Sequence, residues 1–162
     1  MTDTWIINAS PLILYARINR LDLFEQLAPR VIVPEIVIEE VRSGMHKDSS
    51  TSKAVAWAVQ YRHPDISIPA SVEHWDLGPG ESQVMSYCLQ GAGWAVLDDQ
   101  MARRCASAHG LLMIGSLGVI LRAKVRGLVD AARPWVYKLM DQGMYVTDEL
   151  VEQSMSAIGE GK

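Results

Sequence analysis

The chain has 162 residues, 49% of them apolar, and a formal net charge of −4. That length and that much apolar material exclude wholesale disorder and point to one packed domain. The acidic balance excludes a protein that coats nucleic acid by bulk charge, though not a nuclease that needs only a local basic rim.

In chain order, residues 4–7 read as a short buried strand. Ser10-Pro11 then opens a helix, with Ser10 as N-cap and Pro11 in the first helical position. Apolar residues between 12 and 27 supply one or two helices. Residues 31–33 form a second strand, and Pro34 starts a helix over 35–42 that offers Ile36, Val37 and Val41 to the core. Residues 43–52, SGMHKDSSTS, are small, polar and without periodicity, so a loop is expected there. A helix over 53–61 and a short strand over 66–68 follow. Gly78-Pro79-Gly80 is a turn feeding a helix over 81–90. Gly91-Ala92-Gly93 is expected to end that helix through left-handed glycine geometry. A strand over 94–97 leads through Asp98-Asp99 into a helix ending at Gly110. The chain closes with a strand over 111–114, a helix from Ser116 to about Arg126, helical sequence over 129–140, and a last helix over 147–157 capped by Thr147.

Short apolar strands alternating with longer helices imply an α/β fold with a mostly parallel sheet covered on both faces. The carboxyl ends of such strands form the functional edge. No repeat or second domain is visible, so residues 1–162 are expected to form a single domain, with a core over about 4–130 and C-terminal helices over about 129–158. The N-terminal segment lacks a basic n-region and is broken by Asn8, Ser10 and Pro11, which argues against a signal peptide. No apolar run approaches the ~18 residues of a membrane span. Cys88 and Cys105 form no CxxC pair and read as buried thiols, compatible with a reducing cytoplasm. His63, His74 and His109 lack zinc spacing. No Walker, GxGxxG or GxSxG pattern is present.

The candidate chemistry lies at the carboxyl edge. Asn8 and Asp98 each follow an apolar strand. Glu81 sits in the first turn of a helix, and Glu40 lies on the helix after the second strand. Neighbouring Glu39 points about 100° away from it. Hard oxygen donors on four segments suit Mg²⁺ or Mn²⁺. Such an ion makes a water more acidic and steadies charge on a phosphodiester. Each acid also has a plainer reading. Glu81 favours a helix N-terminus, Asp98 or Asp99 caps a helix, and Glu39-Glu40 is a solvated face.

The runs INASPLILYARINRLDLF, VPEIVIEEV, LGPGESQVMSYCL, AVLDDQMARRCASAHGL and IGSLGVILRAKVRGLV occur in one order across most of residues 5–130. Together they resemble the PIN domains of the branch catalogued as domain of unknown function 3368, and VYKLMDQGMYVTDELV resembles the closing helices of that family. The resemblance implies a PIN-like three-layer α/β/α sandwich and metal-dependent endoribonuclease activity on single-stranded RNA. It also implies a toxin role beside a small antitoxin protein, and a homodimer. The family's acidic site falls on Asn8, Glu40, Glu81 and Asp98, with Asp99 beside the last. Catalysis is thereby expected of Glu40, Glu81, Asp98 and Asp99, and metal binding of Asn8, Glu40, Glu81 and Asp98. Contacts to RNA are expected of Ser10, Arg103, Arg104 and Arg122, the alternative for the arginines being solvated helix faces. The loop residues His46 and Lys47, just past Glu40, are candidates to close over substrate. At Asn8 the sequence departs from the family. A neutral carbonyl oxygen stands where a carboxylate would, which leaves open a weak or inactive PIN fold that binds a partner protein or RNA.

Overall fold

The computed structural model describes residues 4–44, 48–91 and 93–160. In chain order the elements are β1 (Thr4–Ile7), α1 (Ala9–Arg17), α2 (Asp22–Leu27), β2 (Arg30–Pro34), α3 (Glu35–Arg42) and α4 (Ser49–Ala58). A 3₁₀ turn, Val59–Tyr61, precedes β3 (Arg62–His63), α5 (Ala70–Glu73), α6 (Pro79–Gln90) and β4 (Gly93–Val96). The chain continues through α7 (Gln100–Ala108), β5 (Leu112–Ile114), α8 (Ser116–Val125), α9 (Arg133–Asp141) and α10 (Asp148–Ala157).

All five strands are parallel, in the order β3-β2-β1-β4-β5, with helices flanking the sheet. This is the expected α/β/α sandwich. Every residue of β1 is buried, as a central parallel strand requires. Trp5 pairs in register with Val31 on one side and Trp94 on the other. The chain runs outward from β1 to β2 and β3, then returns to the opposite side for β4 and β5. The β1–β4 boundary is therefore the switch point where a doubly wound sheet opens a crevice at its carboxyl edge. No helix among the described residues is long and apolar enough to cross a membrane.

Several local expectations change. Asn8, not Ser10, takes the N-cap position of α1, because the helix begins at Ala9. Ser10 lies inside the first turn and spends its hydroxyl elsewhere. The expected loop 43–52 is shorter: Asp48 and Thr51 form a capping box that starts α4 at Ser49. Residues 45–47, including His46 and Lys47, lie outside the described residues. The strand expected over 66–68 does not form. Gln83 occupies that backbone instead, accepting from Ile66 N–H at 3.0 Å and donating to Ile66 C=O at 2.8 Å. The edge strand is Arg62–His63. Gly91 ends α6 with φ −159°, extended rather than left-handed. Ala92 lies outside the described residues. In α3 the fully buried partner of Val37 and Val41 is Ile38 rather than Ile36.

Candidate active site

The expected site residues other than Arg122 come together at the carboxyl edge. The backbone N–H of Asn8 donates to Val96 C=O at 3.0 Å, which stitches the end of β1 to β4. Its side chain is 4% exposed and makes no cap bond. The buried Oδ1 has no hydrogen-bond partner among the described residues. A buried polar atom of this kind is uncommon and asks for a donor or a cation.

Glu40 supplies the neighbouring charge. On α3, Glu39 faces solvent and pairs with Arg42, whereas Glu40 turns inward. Glu40 Oε1 accepts from Gly80 N–H at 2.9 Å. A methyl group at Gly80 would stand 2.7 and 2.9 Å from the two Glu40 oxygens and 3.0 Å from Asn8 Oδ1. Three acceptor oxygens therefore crowd the space where a side chain at this position would begin. Burial pushes the Glu40 carboxyl above its ordinary pKa, the Gly80 N–H pulls it back, and the charge of Glu81 pushes it up again. Glu81, in the first turn of α6, folds over Gly78 with Oε2 3.1 Å from where a side chain there would begin.

Asp98 stands on the other side of the crevice with its oxygens engaged. Oδ1 accepts from Ser116 N–H at 2.7 Å, and Oδ2 accepts from Ser116 Oγ at 2.6 Å and Ser10 Oγ at 3.2 Å. Ser116 is fully buried, and its carbonyl accepts from the Tyr15 hydroxyl at 2.7 Å. Burial, and then the charge of Asp98, hold the Tyr15 phenol well above its usual pKa. Asp99 takes the helix-capping role: its Oδ2 accepts from Ala102 N–H at 2.9 Å at the start of α7.

Asn8, Glu40, Glu81, Asp98 and Asp99 all line one open cavity of about 1280 Å³, and Ser10, Arg103 and Arg104 line it too. Arg103 is anchored at the sheet edge, its Nη1 donating to Leu97 C=O at 3.4 Å. Arg122 does not line this cavity. It lies over the Trp94 ring, 4.5 Å from the centroid, in a separate one. Among the described residues no three acids, histidines or cysteines close into a cluster that would hold an ion.

A family model described as a PIN domain matches residues 4–160. The chain belongs to the PIN-domain family. A search of curated proteins gave no match. PIN domains carry a nuclease-type fold and generally use divalent metal ions.

The residues present fit such an ion in a limited form. Every donor at this PIN edge is a hard oxygen. The Asn8 carbonyl lacks a partner, and none of Glu40, Glu81 and Asp98 forms an ion pair among the described residues. Mg²⁺ commonly takes one or two carboxylates and completes its shell with water and substrate phosphate, so a closed three-acid cage is not required. Two contributors escaped the sequence reading. Gly80 was legible only as a turn residue and Ser116 only as a helix start. The available signals were the GPGE run, with its glycine directly before the acid, and a serine directly after a strand.

Proposed function

We propose that this PIN protein is a Mg²⁺- or Mn²⁺-dependent endoribonuclease that cleaves single-stranded RNA. The observation that carries this reading is the buried, unpartnered Asn8 Oδ1 beside the Glu40 carboxylate, at the switch point of the sheet. Asn8, Glu40, Glu81 and Asp98, which line the same cavity, would hold the ion. A divalent ion supplies positive charge for the phosphodiester and a more acidic water. Gly80 fixes the Glu40 carboxylate through its N–H. Ser116 and Ser10 hold Asp98 in one orientation, so the edge is arranged before substrate arrives. Asp99 serves catalysis indirectly, by starting α7 where Arg103 and Arg104 face the cavity. These arginines grip backbone phosphates, for which a planar guanidinium is suited. A toxin role, a small antitoxin partner, a homodimer and a cytoplasmic setting complete the reading, supported by family resemblance alone.

The direct test is cleavage of a single-stranded RNA by purified protein. The expected result is cutting with Mg²⁺ or Mn²⁺, none in EDTA, and none by Asp98→Ala with metal present. Activity that survives EDTA refutes the metal mechanism.

Asn8 also favours a second reading, in which the protein binds a partner or RNA without turnover. A carboxylate can only accept hydrogen bonds. An amide can turn over and donate its NH₂ to Glu40, which removes the local need for a cation. Asn8→Asp separates the two. If the natural protein is inert, the substitution produces metal binding and cleavage, read as a Mn²⁺-dependent rise in Tm and as RNA products. Robust cleavage by the natural sequence rules this reading out.

A further inference from the structure

We propose that the cavity beside Trp94, at the amino-terminal edge of the sheet, is a second nucleotide subsite that takes a base and a phosphate of single-stranded RNA. The inference rests on the RNA reading above but uses none of its acids. The cavity encloses about 440 Å³. Such a volume is within the range of small-ligand sites. Trp5 and Trp94 are register partners on adjacent strands, and both border the same hollow, Trp5 as a buried wall at 4% exposure and Trp94 partly exposed. Leu121 and Val125 of α8 wall it opposite, and Val125 is 71% exposed at the mouth.

Two cations stand at this apolar hollow. Arg122 lies 4.5 Å over the Trp94 ring. Among the described residues, Arg126 reaches only the backbone carbonyls of Leu27 and Gln26, both at 3.5 Å. Neither guanidinium meets a carboxylate among the described residues, and no acid lines the cavity. Aromatic faces joined to unpaired arginines are the chemistry that holds unpaired nucleotides: the base stacks and the phosphate is gripped.

Position argues for the strand rather than a free nucleotide. Leu121 lines both this cavity and the acidic one. The ten residues of α8 span about 15 Å, from Ser116 beside Asp98 to Val125 beside Trp94. A strand leaving the acidic edge along α8 meets Arg122 and Arg126 next. A second copy of the chain is the less suitable occupant, because a twofold contact centred here would bring the same two unpaired cations against themselves.

The test is fluorescence anisotropy with a labelled single-stranded RNA ten nucleotides long, in EDTA so that no cleavage intervenes, on the full chain. Arg122→Glu and Arg126→Glu are each expected to weaken binding at least tenfold. Each is also expected to flatten the log–log salt slope by about 0.7, the value of one lost phosphate contact on a single strand. Arg126→Glu guards against local damage, since its side chain does not rest on Trp94. Unchanged affinity in both variants overturns the subsite. So does absence of RNA binding by the natural protein, or a change of oligomeric state with RNA affinity intact. Cleavage of RNA by the natural protein with both variants silent leaves the nuclease standing and removes the subsite. Weakened binding in a protein that never cleaves does the reverse.

Discussion

The two sides of the acidic cavity differ in how far their polar groups are satisfied by the protein itself. Asp98 accepts three hydrogen bonds, two of them from the fully buried Ser116, whose own carbonyl is bonded to Tyr15. Across the crevice, among the described residues, Asn8 Oδ1 is buried with no donor, and Glu40 holds a single N–H from Gly80 while facing the charge of Glu81. The first side is framework: its acid ties the start of α8 to the end of β4. The second is an unmet demand, held in place by a glycine. An acid can thus belong to an active site either because the fold needs it or because only a ligand does, and the variants that separate these roles affect different observables.

The largest expected effect comes from breaking the satisfied side. Asp98→Ala strands the buried Ser116 N–H and hydroxyl, at about 2–4 kcal/mol in total. The expected fall in Tm is roughly 5–12 °C, measured by thermal or denaturant unfolding. Asp98→Asn keeps an acceptor for the N–H and offers its NH₂ to the hydroxyl, so it loses cleavage with little loss of stability. Equal destabilisation by the two variants defeats the framework assignment.

Gly80→Ala probes the other side, with the opposite pattern. The added methyl displaces the ends of the Glu40 and Asn8 side chains rather than backbone, so unfolding free energy changes by less than about 1 kcal/mol. Cleavage falls about 100-fold, since misplacing a reacting group by 1 Å costs that much. The Glu40 pKa, followed by NMR titration, returns toward the ordinary carboxylate value as the group is pushed into water.

The smallest effect concerns Glu40 itself. Its proton is held more tightly in the folded protein than in the unfolded chain, chiefly through burial. Its contribution to stability is therefore complete below the ordinary carboxylate range and is lost as pH rises through the raised value. Ionised Glu40 is a burden at neutral pH without metal. Glu40→Gln should raise Tm at pH 7.5, and the gain should shrink as pH falls into the ordinary carboxylate range, where the natural residue takes up its proton. A gain that persists in acid contradicts this account.

Where one local rule governed a segment, the sequence was readable. β1 and α3 fall at the expected boundaries because a short apolar run and a helix-starting Pro34 leave little choice. The misreadings lie where side chains took over backbone work. Asp48 and Thr51 turned an apparently featureless polar stretch into a helix start, and Gln83 satisfied Ile66 from 17 residues away, leaving no strand there. The same division runs through the site. Asn8, Glu40, Glu81 and Asp98 stood out weakly by position and were singled out by the PIN resemblance, and the fold brings them to one cavity. Gly80 and Ser116 did not stand out, because their parts depend on proximity to Glu40 and Asp98, 40 and 18 residues distant. Arg122 followed the same logic in reverse: near Arg103 in the chain, it turned instead toward Trp94.

The sheet also bears on self-association. Its two outer strands are minimal, two residues in β3 and three in β5. Borders this short leave little exposed ladder for a neighbour to extend, a common safeguard against uncontrolled stacking. Any pairing of one molecule with another is thereby steered away from strand addition and onto helical surfaces, where recognition depends on side chains.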